Sequence, residues 1–265
     1  MRAILRAMPT MLSVHSALML QYRGEIILWA VWGVVYPAVS MAMWQAAGGG
    51  RPLAGYGPGD ISAYFLLTMV VGHVTTAWDI YEFGYFIRSG RLSDALLRPM
   101  MPLWESVASN ITYKIITLIV LGPIWLGFWW WSAPRMAGTW SDLAAGSVAT
   151  LMAAALTYVW GYAASMLAFY ITRMEGFAEL YFGVTLFLSG RFAAIDWLPA
   201  PVQWLTWMTP FRWSHAFPVE LLMGRLSGGA IAAGFAWQAV WLVIGVIVLR
   251  FAWARGIRRY GAVGG

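Results

Sequence analysis

The chain has 265 residues, of which 61% are hydrophobic and only 11% carry a formal charge, against about 45–50% and about 25% in soluble domains. It therefore has too little polar surface for a water-soluble fold, and a lipid bilayer must solvate much of it as an integral membrane protein. The lack of cysteine excludes disulfides and thiolate metal sites, and the net charge of +6 comes from scattered arginines rather than a nucleic-acid-binding face.

An amphipathic helix lying along the membrane interface is predicted first, over residues 1–24. Arg2 and Arg6 belong to a stretch broken by Pro9, and no apolar core precedes a small-residue cleavage site, so a signal peptide is not expected. Six spans then follow, because each needs about 20 mostly apolar residues. They are predicted over residues 26–47, 61–83, 107–131, 143–172, 177–190 and 231–251.

These spans define one all-α membrane domain, without a soluble domain, a clear repeat or a long linker. The fifth span is too short to cross a bilayer unaided. Before the sixth, residues 191–224 mix tryptophans with Pro199, Pro201, Pro210 and Pro218, which forbid one continuous helix. We expect two short helices that form a re-entrant hairpin over an outward exit, its tryptophans at headgroup level; a plain surface loop is the alternative.

A short charged element over residues 88–99 is predicted between the second and third spans. Ser93 and Asp94 suit the first turn of a helix, because their side-chain oxygens can accept from free backbone N–H groups. Leu92, Leu96 and Leu97 are expected to share one face of this helix, and Pro99 is expected to end it. The residues expected to contact a partner are Arg88, Arg91, Leu92, Ser93, Asp94, Leu96, Leu97 and Arg98. The alternative is a solvated loop whose arginines only set topology.

The arginines also predict the orientation of the chain. With the N-terminus inside, eleven arginines lie in inner segments and five in outer ones, so both termini and the element over 88–99 are expected in the cytoplasm. The outer five include Arg191. Trp129, Trp130 and Trp131 then lie at the outer interface, where indoles prefer to sit.

Ionisable residues inside spans are costly and often functional. The candidates for an intramembrane gate or headgroup route are His73, Asp79, Glu82, Lys114, Glu175 and Glu179. Asp79 and Glu82 share a helical face, and Lys114 is expected at a similar depth, so a structural ion pair or network is the alternative to a gate.

Two helical stripes are also predicted. Trp29, Trp32 and Tyr36 lie at i, i+3 and i+7 of the first span, and they either face lipid or line a hydrophobic substrate path between two subunits. The fourth span has a small residue every four positions from Ala145 to Ser165, which favours close internal helix packing over a subunit interface.

A family resemblance rests on two stretches: "GYFIRSGRLSDALLRPMMPLWE", residues 84–105, and "SGRFAAIDWLPAPVQWLTWMTPFRWSHAFPVELLMGRL", residues 189–226. Together they resemble the permease subunits of ABC-2-type transporters, and most closely a bacterial branch of these permeases. The resemblance covers the whole chain, from the interfacial helix to the last span.

The resemblance implies a pair of six-span permeases working with two ATP-binding subunits. It makes the element over 88–99 a coupling helix that the ATPase grips, with the N-terminal interfacial helix as a second contact. The permease itself is then not an enzyme and holds no cofactor or metal; ATP and magnesium belong to the cytoplasmic ATPase dimer. The second permease is either a copy of this chain or a related one, and most members export. The sequence agrees, since its only lysine, Lys114, is not in a P-loop.

Two rival classes stay open. A secondary transporter would show paired broken helices with midplane charges, and the sequence indicates one broken region only. An intramembrane hydrolase could use Ser189 with His73 or His215, but no nucleophile elbow is recognisable. The "GPGD" at residues 57–60 is better explained as a helix start than as a protease motif.

Overall fold

The computed structural model describes residues 2–171 and 173–261, and these residues are organised in α-helices. Met1 and Thr172, which bound the predicted interfacial helix and fourth span, lie outside the described residues. The α-helices are α1 Arg2–Gln21, α2 Arg23–Gly48, α3 Pro58–Thr75, α4 Asp79–Arg88, α5 Arg91–Leu96, α6 Leu103–Ser132, α7 Trp140–Ser165, α8 Glu175–Leu188, α9 Ala200–Trp207, α10 Pro210–Ser214, α11 Ala216–Leu222 and α12 Gly228–Ile257.

Four segments of the described chain are long and apolar enough to cross a bilayer: Pro58–Arg88, Leu103–Ser132, Trp140–Phe169 and Gly228–Ile257. They correspond to the predicted second, third, fourth and sixth spans. Helix α2 has 26 residues, but several side chains in its first half lie outside the described part. Helix α8 has 14 residues, which gives about 21 Å of length against a hydrocarbon core of about 30 Å.

Helices α6 and α12 extend beyond their predicted windows at both ends, whereas α7 ends at Ser165 and a 3₁₀ turn continues only to Phe169, before the predicted end of the fourth span. A side-chain cap explains the early start of α7. At the start of α7, the Thr139 N–H donates to the Asp142 carboxylate at 2.8 Å, and the Asp142 N–H donates back to the Thr139 hydroxyl at 3.3 Å. Helix α1 is continuous through Pro9, so the predicted break there is wrong.

The second span is interrupted, whereas the sequence predicted a continuous helix over 61–83. Helix α3 ends at Thr75 and α4 begins at Asp79. The Thr75 hydroxyl donates to the Val71 carbonyl at 2.8 Å and the Thr76 hydroxyl to the Gly72 carbonyl at 2.6 Å. Such bonds compete with the backbone ladder and bend helices, which accounts for the break.

Helix α7 is central to the bundle, with α3, α4, α10, α11 and α12 packed around it. Its small-residue ridge supports close approach, since Ala149 and Ala153 are fully buried. Helix α12 complements it with Gly234, Gly245 and Gly256, spaced eleven residues apart. A Cβ on any of the three would come within 2.8 Å of an aromatic side chain of a facing element.

The segment over 191–224 is part of the core rather than a surface loop. Every residue of α11 is buried, and the helix packs against α7 and α3. The prediction that its tryptophans sit together at headgroup level is wrong in part. Trp204 and Trp207 are exposed, but Trp213 is buried against α12, and Trp197 packs on Tyr64 in the bundle.

Candidate substrate cavity

A cavity of about 1140 Å³ opens between α1, α2, α3, α4, α6 and α8. Its apolar wall includes Leu18, Met19, Trp32, Met69, Leu121, Phe182 and Leu186. Ligand sites are typically about 300–1000 Å³ and largely apolar with a few polar groups, so this space suits a drug-sized or larger molecule.

The break in the second span lies on the cavity wall, where Thr76, Ala77 and Trp78 line it. Non-helical backbone at membrane depth is tolerated only where it is buried in protein or borders a cavity. The Thr76 carbonyl accepts a hydrogen bond from the Asn110 amide at 3.3 Å, so α6 satisfies part of the exposed backbone.

Arg191 reaches this break from the start of the hairpin. Its Nη2 donates to the Thr75 hydroxyl at 3.0 Å, while its buried Nε has no hydrogen-bond acceptor. Among the described residues it forms no ion pair, and its partly exposed side chain lines the cavity. The sequence placed Arg191 with the outer topological arginines; the structure instead brings its guanidinium beside Thr75, near the middle of the second span.

Further polar atoms of the cavity wall are buried without a hydrogen-bond partner in the described chain. They are the Thr68 hydroxyl, the Trp125 indole N–H and the Thr157 hydroxyl. Buried polar groups are normally satisfied, so their grouping here indicates a polar occupant or ordered water.

A pocket of about 70 Å³ adjoins the cavity and shares residues of its wall. Asp79 lies there, buried, and accepts hydrogen bonds from the Ser106 hydroxyl and, at 3.1 Å, from the Tyr158 hydroxyl. It therefore ties α4 to α6 and α7. Glu82 also borders this pocket but is exposed, so the two predicted neighbours differ in environment.

Lys114 does not pair with either acid. Its Nζ donates to the Asn110 side-chain oxygen at 2.5 Å, one turn away on α6. The His73 ring instead contacts the Lys114 backbone carbonyl at 3.0 Å and packs edge-on against Trp125. The predicted Lys114 ion pair is replaced by hydrogen bonds, because Asn110, one turn away on the same helix, lies nearer to the Lys114 ammonium than either acid.

The two acids of α8 also separate. Glu175 pairs with Arg88 at 2.8 Å in an exposed position, outside the cavity. Glu179 is exposed and lines the cavity. On α1, burial lowers the pKa of the His15 imidazole below 6.5, with Glu105 opposing and Arg91 adding to that effect. His15 is therefore neutral near pH 7, and Arg191 is the permanently charged cation of the described lining.

The aromatic stripe predicted on the first span lies partly on the cavity wall. Trp32 and Tyr36 line the cavity, whereas the Trp29 side chain lies outside the described residues. Trp32 is 67% exposed, so it borders both the cavity and the outside of the bundle.

The short element over 88–99 is a six-residue helix, α5, and its predicted leucine face is only partly buried. Leu92 is fully buried, while Leu96 is 39% and Leu97 87% exposed. Arg88 is already the last residue of α4. Ser93 and Asp94 lie in the first turn, as predicted, but no side-chain cap bond forms there. Gly90 precedes the helix with φ +75°, and the Ser93 hydroxyl contacts the Tyr260 hydroxyl at 2.8 Å instead.

The charged residues of α5 frame its exposed leucines. Arg91 lies 5.6 Å from the Phe86 ring centroid, and Arg98 pairs with Glu105 at 2.6 Å. Asp94 is exposed. The helix is thus anchored through Leu92, and it leaves an exposed apolar pair beside exposed charged side chains.

Sequence reasoning missed Arg191, Ser106 and Tyr158 as site residues. Arg191 follows an apolar segment and resembles a boundary arginine, and the hydroxyls carry no spacing signal. The Thr75–Thr76 pair was the one local signal for the break, since adjacent threonines inside a span can bond back to the preceding turn.

A family model described as "ABC-2 family transporter protein" matches residues 49–264, which is most of the chain. The chain belongs to this family. The match confirms the resemblance carried by residues 84–105 and 189–226. Members of this family are membrane transport components that associate with an ABC ATPase and are typically not themselves catalytic. No curated protein and no solved structure matches the chain significantly.

Proposed function

We propose that this ABC-2 protein is the membrane-spanning subunit of an ATP-driven transporter that exports a hydrophobic or amphipathic substrate. The observation that carries the proposal is α5, a short helix with a buried anchor, Leu92, and two exposed leucines, Leu96 and Leu97. An exposed apolar pair rimmed by charges suits insertion into a groove of a partner protein.

The partner is a cytoplasmic ABC ATPase dimer, which holds ATP and magnesium and drives the cycle through α5. Helix α1 is a second contact, since it packs against α6, whose Glu105 pairs with Arg98 beside α5. This orientation places both termini in the cytoplasm and the chain in the cell's inner membrane, in line with the arginine distribution.

The substrate occupies the large cavity between α2, α3, α6 and α8. A second permease, either a copy or a related chain, closes the open side bordered by Trp32, and alternating access operates at that seam. The intramembrane residues His73 and Asp79 hold the walls together, whereas Glu82 and Glu179 face the substrate route.

The coupling role is tested by Leu97→Asp in the complete transporter, co-expressed with the ATPase encoded beside it. A buried unpaired carboxylate at an interface costs several kcal/mol, so we expect co-purification of the ATPase to be lost while the variant still inserts into the membrane. The Leu96→Asp variant should behave in the same way.

The matched control is Leu205→Asp, which changes a leucine of α9 in the hairpin that is 45% exposed, close to the 39% of Leu96. It should leave the ATPase bound. Normal ATP-driven transport by the Leu97→Asp variant would contradict the docking role of α5.

A secondary transporter is the second candidate, favoured by the broken second span in addition to the hairpin. Broken helices in corresponding places are typical of gradient-driven carriers. Gradient-dependent uptake by proteoliposomes that contain this chain without an ATPase would select this candidate over the first.

A further inference from the structure

We propose that the cavity binds an amphiphile with an anionic headgroup, and that Arg191 is the residue that binds the head. This deepens the proposed export function and rests on it for the direction of transport. The headgroup chemistry is a phosphate, sulfate or carboxylate on an apolar tail.

The charge of Arg191 is the first argument. A guanidinium has five N–H donors and stays protonated, and here only its bond to Thr75 is present among the described residues. Burying a cation without a counter-charge is expensive, and charges inside membranes are normally paired. An anionic headgroup would supply both the missing charge and the missing acceptors.

The protein's own charges do not supply this partner. Glu179 and Glu82 line the same cavity, but both are exposed and neither lies within ion-pair distance of Arg191. By contrast, Arg212, the buried arginine of the hairpin, pairs with the Glu220 carboxylate at 3.0 Å. Arg191 thus lacks the local neutralisation that Arg212 has.

The surroundings of Arg191 fit the rest of an amphiphile. Tyr36 and Tyr181 line the cavity near the guanidinium, and Phe182 and Leu186 extend the wall as an apolar surface. The hydroxyl of Thr157, buried and without a partner among the described residues, is a further polar group on the wall of the same cavity. A polar end and a long apolar wall in one cavity select a molecule with the same two parts.

The experiment uses a dodecyl phosphate carrying a photoactivatable group, cross-linked to the full chain with its ATPase in nanodiscs and mapped by peptide mass spectrometry. Labelled peptides should come from α2, α3 and α8. Dodecyl phosphate should compete far better than dodecyltrimethylammonium, which has the same tail and the opposite charge, and better than inorganic phosphate, which has no tail.

Arg191→Gln should weaken competition by dodecyl phosphate by roughly 10- to 100-fold, the range expected for losing a charge-assisted hydrogen bond. Arg191→Lys should retain part of the preference for the anion. Arg51→Gln, an exposed arginine outside the cavity, is the matched control and should compete as the unchanged protein does.

Equal competition by the cationic and anionic amphiphiles in the unchanged protein would overturn the proposal, and this comparison needs no variant to fold. If inorganic phosphate competed as strongly as dodecyl phosphate, the apolar tail would contribute nothing, and the proposal that the ligand is an amphiphile would be wrong. If the ATPase binds and turns over while the anion preference is absent, only this inference fails; if no ATPase associates, the proposed function fails independently of the labelling.

Discussion

Charged residues in the interior of this protein differ in how they are neutralised, and the difference separates structural from candidate binding groups. Arg212 pairs with Glu220 at 3.0 Å and lies 4.6 Å from the Trp207 ring centroid. Both members of the pair are buried. Arg191 is held by one threonine hydroxyl and faces a cavity. The Arg212–Glu220 pair stabilises the hairpin, whereas the Arg191 guanidinium keeps N–H donors that can bind a ligand.

The Arg212–Glu220 pair gives a prediction at the residue scale. Glu220→Gln removes the counter-charge and leaves the Arg212 guanidinium buried, which should reduce the free energy of unfolding by about 3–5 kcal/mol. Equilibrium unfolding in mixed micelles measures this. Glu175→Gln, the same change in the exposed pair with Arg88, is the control and should have little or no effect. An equal loss of unfolding free energy in both variants would contradict the idea that burial makes the Arg212–Glu220 pair important for stability.

At the scale of elements, α12 is fitted to its neighbours by glycines at an eleven-residue spacing. Gly234 receives the Phe217 ring of α11, Gly245 the Trp160 indole of α7, and Gly256 the Phe169 ring beyond α7. Eleven residues make close to three helical turns, so the three glycines lie along nearly one line of the helix. The apolar pattern of α12 alone does not reveal this seam.

Gly234→Ala tests the seam. The added Cβ would stand 2.0 Å from a Phe217 ring carbon, so the ring or the helix must move. Overpacking of this kind typically costs about 1–3 kcal/mol, and we expect a lower thermal midpoint in detergent. Gly229→Ala in the same helix is the control, since nothing lies within 4 Å of its Cβ position. A midpoint for Gly234→Ala equal to that of the control would refute the close packing.

The same scale explains why the hairpin was misjudged. Its prolines predicted a broken helix, but two short helices were expected and the structure has three, α9, α10 and α11, with a 3₁₀ turn before them. Their depth, however, depends on partners far away in sequence. The Tyr64 hydroxyl donates to the Gly190 carbonyl at 2.6 Å, and the Ala216 N–H donates to the Ser189 carbonyl at 2.9 Å. These bonds hold the hairpin inside the bundle.

At the scale of the whole molecule, the proposed orientation places α5 and the starts of α1 and α6 on the cytoplasmic side. The opposite end gathers the start of α3, the loop before α7 and the end of the hairpin; Gly59 accepts from the Arg135 N–H at 2.9 Å there. This grouping gives each end its own set of exposed residues, which can be labelled separately.

The absence of cysteine makes the orientation directly measurable. Ser89→Cys lies beside α5 and Ser141→Cys at the opposite end, and both serines are exposed. A membrane-impermeant maleimide should label Ser141→Cys on intact cells and Ser89→Cys only after permeabilisation. Ser165→Cys, fully buried, is the unlabelled control. If Ser89→Cys were labelled on intact cells, α5 would lie outside the cell. It could then not couple to a cytoplasmic ATPase.

The sequence by itself determined the class of this protein. Its apolar composition indicated a membrane protein, its apolar windows located the four spanning segments of the described chain, and residues 84–105 with 189–226 carried the family. These features depend on local composition and order, which a sequence contains in full. The short helix α5 was likewise predictable, because Pro99 was expected to end it and the helix stops three residues earlier, at Leu96.

Only the tertiary structure decided which side chains meet. Leu92 turned inward while Leu97 stayed exposed, Asp79 bonded to Ser106 and Tyr158 on two other helices, and Arg191 reached Thr75 from more than a hundred residues away. Burial and pairing of this kind are set by packing between distant segments, and no spacing along the chain encodes them. The cavity and its unpaired cation therefore emerge from the fold, while the membrane class and the family are already present in the sequence.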